Sequence, residues 1–498
     1  MIGEGRSDSF RARLLLGVAL FFVSANVSAQ DLLAVRQPAA SAEPTSTEPA
    51  GRCLDGSQIV RLSAKGAARL MTDGFLAACD PAVSFDGKQI LFAGKRFEDD
   101  RFQIWRMESN GANVVRITDD PGDATSPLWV GSLFHLDDET PTRRIAYLAT
   151  GHGWADKRTG EPASALFTSD IDGGHPLRIS FHLGSDLAPD VLANGRLVFA
   201  AWRAGADEEG DERLSLMALN NDGTDLMAFY DNHDGPPYPH AVRVGRDGRV
   251  YFVEADGSSP LGGGDLAYVT LRRPLRSRTS LATGADGAYL DPLPLAGGGL
   301  LASFRPSGRN EAYGLYRVDA VTGERLELVF GKPGFHILDA QELAPHAGVK
   351  GRSSVVDTSK ETGIFFCISS HLTDRRGLEH LKAGGVSTLR VIEGVPTASR
   401  STVPASAPSE RILGEVPIEN DGSFHIEVPS GVPVRFEILD ERGRSVASQD
   451  SWTWVMPREW RGCIGCHEDR EMVAPNTLAE AFVKPAVRLE QPEELKER

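Results

Sequence analysis

Cysteine is scarce in this chain: five residues in 498. That excludes a small disulfide-dense scaffold and makes any close cysteine pair conspicuous. Aromatic residues make up only 7%. A basic excess is missing too. Lys and Arg total 53 against 69 Asp and Glu, a formal net charge of −16, which argues against nucleic acid or an anionic membrane as a partner. No apolar run beyond the first thirty residues is long enough to cross a bilayer, so no membrane span is expected in a processed chain. No Ser/His/Asp arrangement, G-x-S-x-G, H-E-x-x-H or glycine-rich phosphate loop stands out.

What is present is an ordinary globular balance, 41% hydrophobic and 24% charged, in a chain long enough for more than one domain. Its 52 glycines and 30 prolines favour many short strands over long helices. Residues 1–29 read as a signal peptide: Arg6, Arg11 and Arg13, then apolar Leu14–Val23, then Val27-Ser28-Ala29. The expectation is export to the periplasm. Residues 30–57 read as a linker, rich in Ala, Pro, Ser and Thr up to Glu48. In an oxidising compartment Cys53 and Cys79 are candidates for a disulfide, and Cys367, in a strand-like run, for a buried thiol.

Residues 58–350 repeat. The clearest copy runs Asp80-Pro81-Ala82-Val83-Ser84-Phe85-Asp86-Gly87-Lys88-Gln89-Ile90-Leu91-Phe92, then Gln103–Met107 and Arg116–Thr118. Weaker copies place their turns at Asp172-Gly173, Asn194-Gly195, Asp222-Gly223 and Asp247-Gly248. Such dipeptides supply the positive φ of a tight hairpin. Four short strands per unit of roughly 45–60 residues predict an all-β fold, a β-propeller of about six blades, rather than a row of β-sandwiches. Five copies are visible. A sixth blade would draw on the N-terminal segment or on strands after residue 336. The acidic turn residues Asp86, Asp172, Asp222 and Asp247 are explained as turn formers. A β-rich module follows at 351–450, with alternating Phe424, Ile426, Val428 and Val434, Phe436, Ile438. A haem segment is expected at 451–480 and a tail at 481–498.

The organising stretch is Cys463-Ile464-Gly465-Cys466-His467. C-x-x-C-H is the c-type haem attachment pattern. Two thiols bond one porphyrin edge, and the adjoining histidine ligates the iron from below. A zinc site would need a second ligand pair, and Cys53, Cys79 and Cys367 are isolated. A thioredoxin-like pair would need a βαβ context. One covalent haem c is therefore expected, on Cys463, Cys466 and His467. Candidates for the iron's other face are Met472, Met456 and His425, with His371 and His380 also in view. Trp452, Trp454 and Trp460 precede the motif and suit either a haem wall or ordinary core.

The repeats resemble those of TolB-type propellers. With Asp421–Asp440 and Ser451–Asp469, the order of parts resembles the hydrazine synthase alpha subunit and its relatives. That resemblance implies a propeller with covalent haem and a place in a multi-subunit complex. The family's subunit carries more than one haem, whereas this sequence has a single C-x-x-C-H. The first expectation is thus an exported monohaem cytochrome passing electrons to a redox partner protein. The alternatives are a haem enzyme subunit acting on small nitrogen compounds, and a propeller interaction module with structural haem.

Overall fold

Each predicted Asp-Gly hairpin turn is closed by its own aspartate. Asp86, Asp172, Asp222 and Asp247 each accept, through Oδ1, the backbone N–H two residues on, which fixes the tight turn between strands. The computed structural model describes residues 31–39, 53–63, 67–135, 140–156, 158–203, 213–231, 238–256, 261–283, 286–307, 311–374, 377–383, 385–397, 409–449, 451–466 and 473–490. Residues 1–29, the expected signal peptide, lie outside them. Among the described residues, no helix is long and apolar enough to cross a membrane.

Within 32–342 the described residues form six four-stranded sheets. Their first strands are Ala77–Val83, Ala124–Trp129, Asp186–Val191, Tyr238–Val244, Gly287–Pro294 and Phe335–Glu342, and each lies beside the next around a central channel. Each of these strands carries one non-glycine residue in the left-handed region: Asp80, Ser126, Ala188, Ala241, Asp291 and Asp339. A bulge breaks the register where each of these strands pairs with its neighbour, for example between Cys79 and Ala82. The bulges free side chains to tie neighbouring blades. Asp80 Oδ2 accepts Ser126 N–H at 2.9 Å, Asp190 Oδ2 accepts Val244 N–H at 2.7 Å, and Asp291 Oδ2 accepts Asp339 N–H at 3.0 Å.

The sixth sheet corrects the linker expected at 30–57. Leu32–Pro38 is a buried strand pairing on one side with Gln58–Leu62 and on the other with Phe335–Glu342. The two ends of the propeller sequence therefore share one blade. Cys53 and Cys79 form a disulfide, 26 residues apart. Beyond the ring, residues 344–352 cross the ends of three blades. His346 N–H donates to Phe85 O at 2.8 Å, Lys350 N–H to Ala193 O at 3.3 Å, and Arg352 N–H to Ser132 O at 2.9 Å.

The module is a sandwich of two four-stranded sheets. One holds Trp460–Cys463, Thr362–Cys367, Phe424–Pro429 and Val487–Arg488, and the other Ser409–Pro417, Thr388–Val395, Val434–Leu439 and Ser445–Ser448. Phe365, Cys367, Val391, Ile426 and Val434 fill the space between them. The segment expected to carry haem and the expected tail thus each contribute a strand to the module, Trp460–Cys463 and Val487–Arg488.

Closing a loop of this length restricts the unfolded chain by about 3 kcal/mol. Replacing Cys53 and Cys79 together by serine is expected to lower the unfolding free energy by about that amount, read from denaturant midpoints in non-reducing buffer. A double variant as stable as the parent would contradict this.

Candidate haem attachment site

The strand Trp460–Cys463 runs parallel to Thr362–Cys367, with Trp460 opposite Ile364 and Cys463 opposite Cys367. Strand alternation sorts the side chains onto two faces. Arg461 and Cys463 share the inner face with Phe365 and Cys367. Trp460 and Gly462 share the outer face with Phe366 and His425. Past Cys463 the chain turns, held by Ile368 N–H to Cys463 O at 3.0 Å, Ser369 N–H to Ile464 O at 3.1 Å, and Cys466 N–H to Leu372 O at 2.8 Å. A Cβ at Gly465 would lie 2.3 Å from Leu372 O, so only glycine lets the turn come this close.

Cys463 and Cys466 are half-buried and pack against the sandwich core. Two thiols on one pinned turn, with an apolar wall behind and solvent in front, suit covalent haem attachment. Among the described residues no group of three or more His, Cys, Asp or Glu is placed to hold a metal ion. His467 and Met472 lie outside the described residues. Bound haem would supply one-electron and ligand-binding iron chemistry. The chain's part would be to hold the ring by Cys463 and Cys466 and to keep its edge against the sandwich.

The structure disperses the candidates for the second ligand. Met456 is corrected outright. It is 1% exposed in the propeller's own core cluster, and its Sδ lies 2.7 Å from where a Cβ on Gly223 would be. His425 points to the opposite face from Cys463, between the rings of Trp460 at 5.5 Å and Phe482 at 6.0 Å. Its Nδ1 lies 3.4 Å from Lys484 O. His371 sits beside the Gly422 turn, and His380 Nε2 is 3.2 Å from Val446 O.

Two of the three tryptophans are core. Trp454 is fully buried, donates Nε1–H to Gly223 O at 3.3 Å, and meets His182 edge-on at 4.8 Å. Trp452 packs with Leu183 and Ile392. Trp460 is 64% exposed on the outer face. Two polar residues that motif reading missed complete the dock. Buried Glu459 accepts Asp225 N–H and Met456 N–H, both at 2.7 Å. Arg461 donates to Trp454 O at 3.1 Å and to Leu226 O. The strand bearing Cys463 is therefore fastened to the propeller turn Asp222–Leu226.

Residues 377–468 match the family described as hydrazine synthase alpha subunit middle domain, a stretch ending one residue past His467. The chain is similar to the hydrazine synthase alpha subunit. It is 24% identical over 497 residues to hydrazine synthase subunit alpha of Kuenenia stuttgartiensis, a match covering 80% of this chain and 61% of that protein. It therefore spans less than two thirds of the relative's length. Its fold follows that of the solved Kuenenia stuttgartiensis hydrazine synthase with a TM-score of 0.80 at 21% identity, over 91% of this chain and 71% of the other. TolB from Acinetobacter baumannii gives a TM-score of 0.41 at 13% identity, over 62% of this chain and 66% of that one.

Burial pushes the Glu459 carboxyl up to about 7, against the pull of its two backbone donors and Arg461. The folded chain then binds a proton that the unfolded chain releases near the ordinary glutamate value. Stability from this group is complete below about pH 4.5 and is lost as pH rises through about 7, by about 3 kcal/mol at most. Glu459→Gln is expected to flatten that fall, read as denaturant midpoints between pH 5 and 8. An unaltered slope in the variant would assign the pH dependence to other groups.

Proposed function

We propose that this chain is an exported, haem c-bearing enzyme subunit of the hydrazine synthase alpha kind, acting on small nitrogen compounds within a larger assembly. The observation that carries this is the match over residues 377–468, which takes in the sandwich's second sheet, the Trp454–Arg461 dock and the C-x-x-C-H motif. A generic cytochrome would share the motif but not this setting. The likeness to a named enzyme subunit supports this reading over the simple electron carrier expected first. In it the haem is held by Cys463 and Cys466, His467 is an axial ligand, and the buried disulfide Cys53–Cys79 agrees with folding outside the cytoplasm. The propeller is the platform that orients the haem-bearing sheet.

An enzyme reading requires an iron that can take a ligand. Full-length protein from a host with haem c maturation is expected to show one covalent haem per chain, and a reduced spectrum that shifts with carbon monoxide or nitric oxide. Cys466→Ser is expected to weaken covalent attachment, and Cys463→Ser with Cys466→Ser to abolish it. A ferrous spectrum indifferent to both gases would return the chain to electron transfer. Absence of haem in the parent protein would remove both readings.

A further inference from the structure

A third sulfur stands at the attachment corner. Cys367 ends the strand Thr362–Cys367, is 2% exposed, and lies directly opposite Cys463. Alternation puts both side chains on the inner face. Neighbouring strands run about 4.8 Å apart, within the roughly 4.4–6.8 Å Cα separation that a disulfide bridges. Trp460–Cys463 is an edge strand and Cys463 its last residue, so the sulfur-bearing end has only one neighbouring strand to restrain it. The chain already holds one disulfide, Cys53–Cys79, so its thiols meet oxidants during folding.

We propose that Cys367 is the redox partner of Cys463, and that in the haem-free chain the two form a reversible disulfide that withholds Cys463 from the haem. The bond itself does not require haem; its consequence for loading rests on the reading above. The half-exposed Cys463 thiolate attacks an incoming protein or small-molecule disulfide, R–S–S–R, and releases one R–S⁻. Cys367 thiolate then attacks the Cys463 sulfur and releases the second. Two protein thiols and R–S–S–R thus give one protein disulfide and two R–SH. A dithiol reductant reverses both steps, and Cys463 becomes available to a haem vinyl group while Cys367 stays buried. Cys463 is the cysteine that this register sets opposite Cys367, which makes it the controlled member of the pair.

The test uses the full chain secreted to an oxidising compartment without haem c maturation, alkylated before lysis and mapped by mass spectrometry without reduction. The Cys53–Cys79 peptide reports that the chain folded. The expected result is a second linked peptide joining Cys367 to Cys463, with Cys466 alkylated. Alkylated Cys367, whether Cys463 pairs with Cys466 or both are thiols, would overturn the proposal. In a maturing host with limiting reductant, Cys367→Ser is expected to raise haem per chain severalfold over the parent. Equal haem content in the two would overturn the proposed control. If neither chain takes haem but the Cys367–Cys463 peptide maps, the haem reading fails and the disulfide stands.

Discussion

A ring of sheets is stable only if its last sheet meets its first, and here that requirement falls on seven residues. Leu32–Pro38 sits between Phe335–Glu342 and Gln58–Leu62, so residues about 300 positions apart must pair before every blade has two neighbours. Everything downstream inherits this closure. The segment 344–352 leaves the closed blade across its neighbours and delivers the sandwich to one side of the ring. Without closure that segment would have nothing to cross. The entropic cost of so distant a pairing is met by continuous burial, with Leu33 and Ala34 fully inaccessible.

The second constraint is the dock. Trp454 and Met456 extend the core of the second and third blades, and Glu459 and Arg461 satisfy backbone groups of the Asp222–Leu226 turn. A Cβ on Gly223 would collide with Met456, so the Asp-Gly dipeptide serves twice, as a hairpin turn and as a seat. Within two residues of Arg461 the same strand reaches Cys463. The cysteine turn is thus placed by propeller packing at one end and by the parallel partner strand at the other. A haem hung from this turn would move with both bodies.

Local chemistry was legible where it is local. Asp-Gly turns, alternating strands and the C-x-x-C-H motif each occupy a few adjacent residues, and the blades and module follow from them. What escaped reading is non-local. Leu32–Pro38 is short, lies in a stretch biased to Ala, Pro, Ser and Thr, and is a strand only because of partners far along the chain. Val487–Arg488 is two residues of an apparent tail that add to the module's sheet. Met456 and His425 look alike as ligand candidates in sequence, both of suitable type and both ahead of the motif. Only packing shows that one is propeller core and the other lies across the sheet from Cys463. The parallel register of Cys367 with Cys463, across 96 positions, likewise has no signal in sequence.

The propeller's central cavity, about 680 Å³ and lined by Asp80, Asp190, Asp291, Asp339 and Arg243, is the obvious rival as a functional centre. Its carboxylates are largely committed. Asp80, Asp190 and Asp291 each bind a backbone N–H of the next inner strand, and Asp339 takes the guanidinium of Arg243. Removing any of them would strand a buried donor, so the polar lining is first of all what holds blade to blade. The attachment corner has the opposite character. Its backbone groups are satisfied by Ile368, Ser369 and Leu372, while its sulfurs stand half-buried at a solvent edge. On the proposed reading the chemistry therefore lies on the sandwich, with the ring as its support.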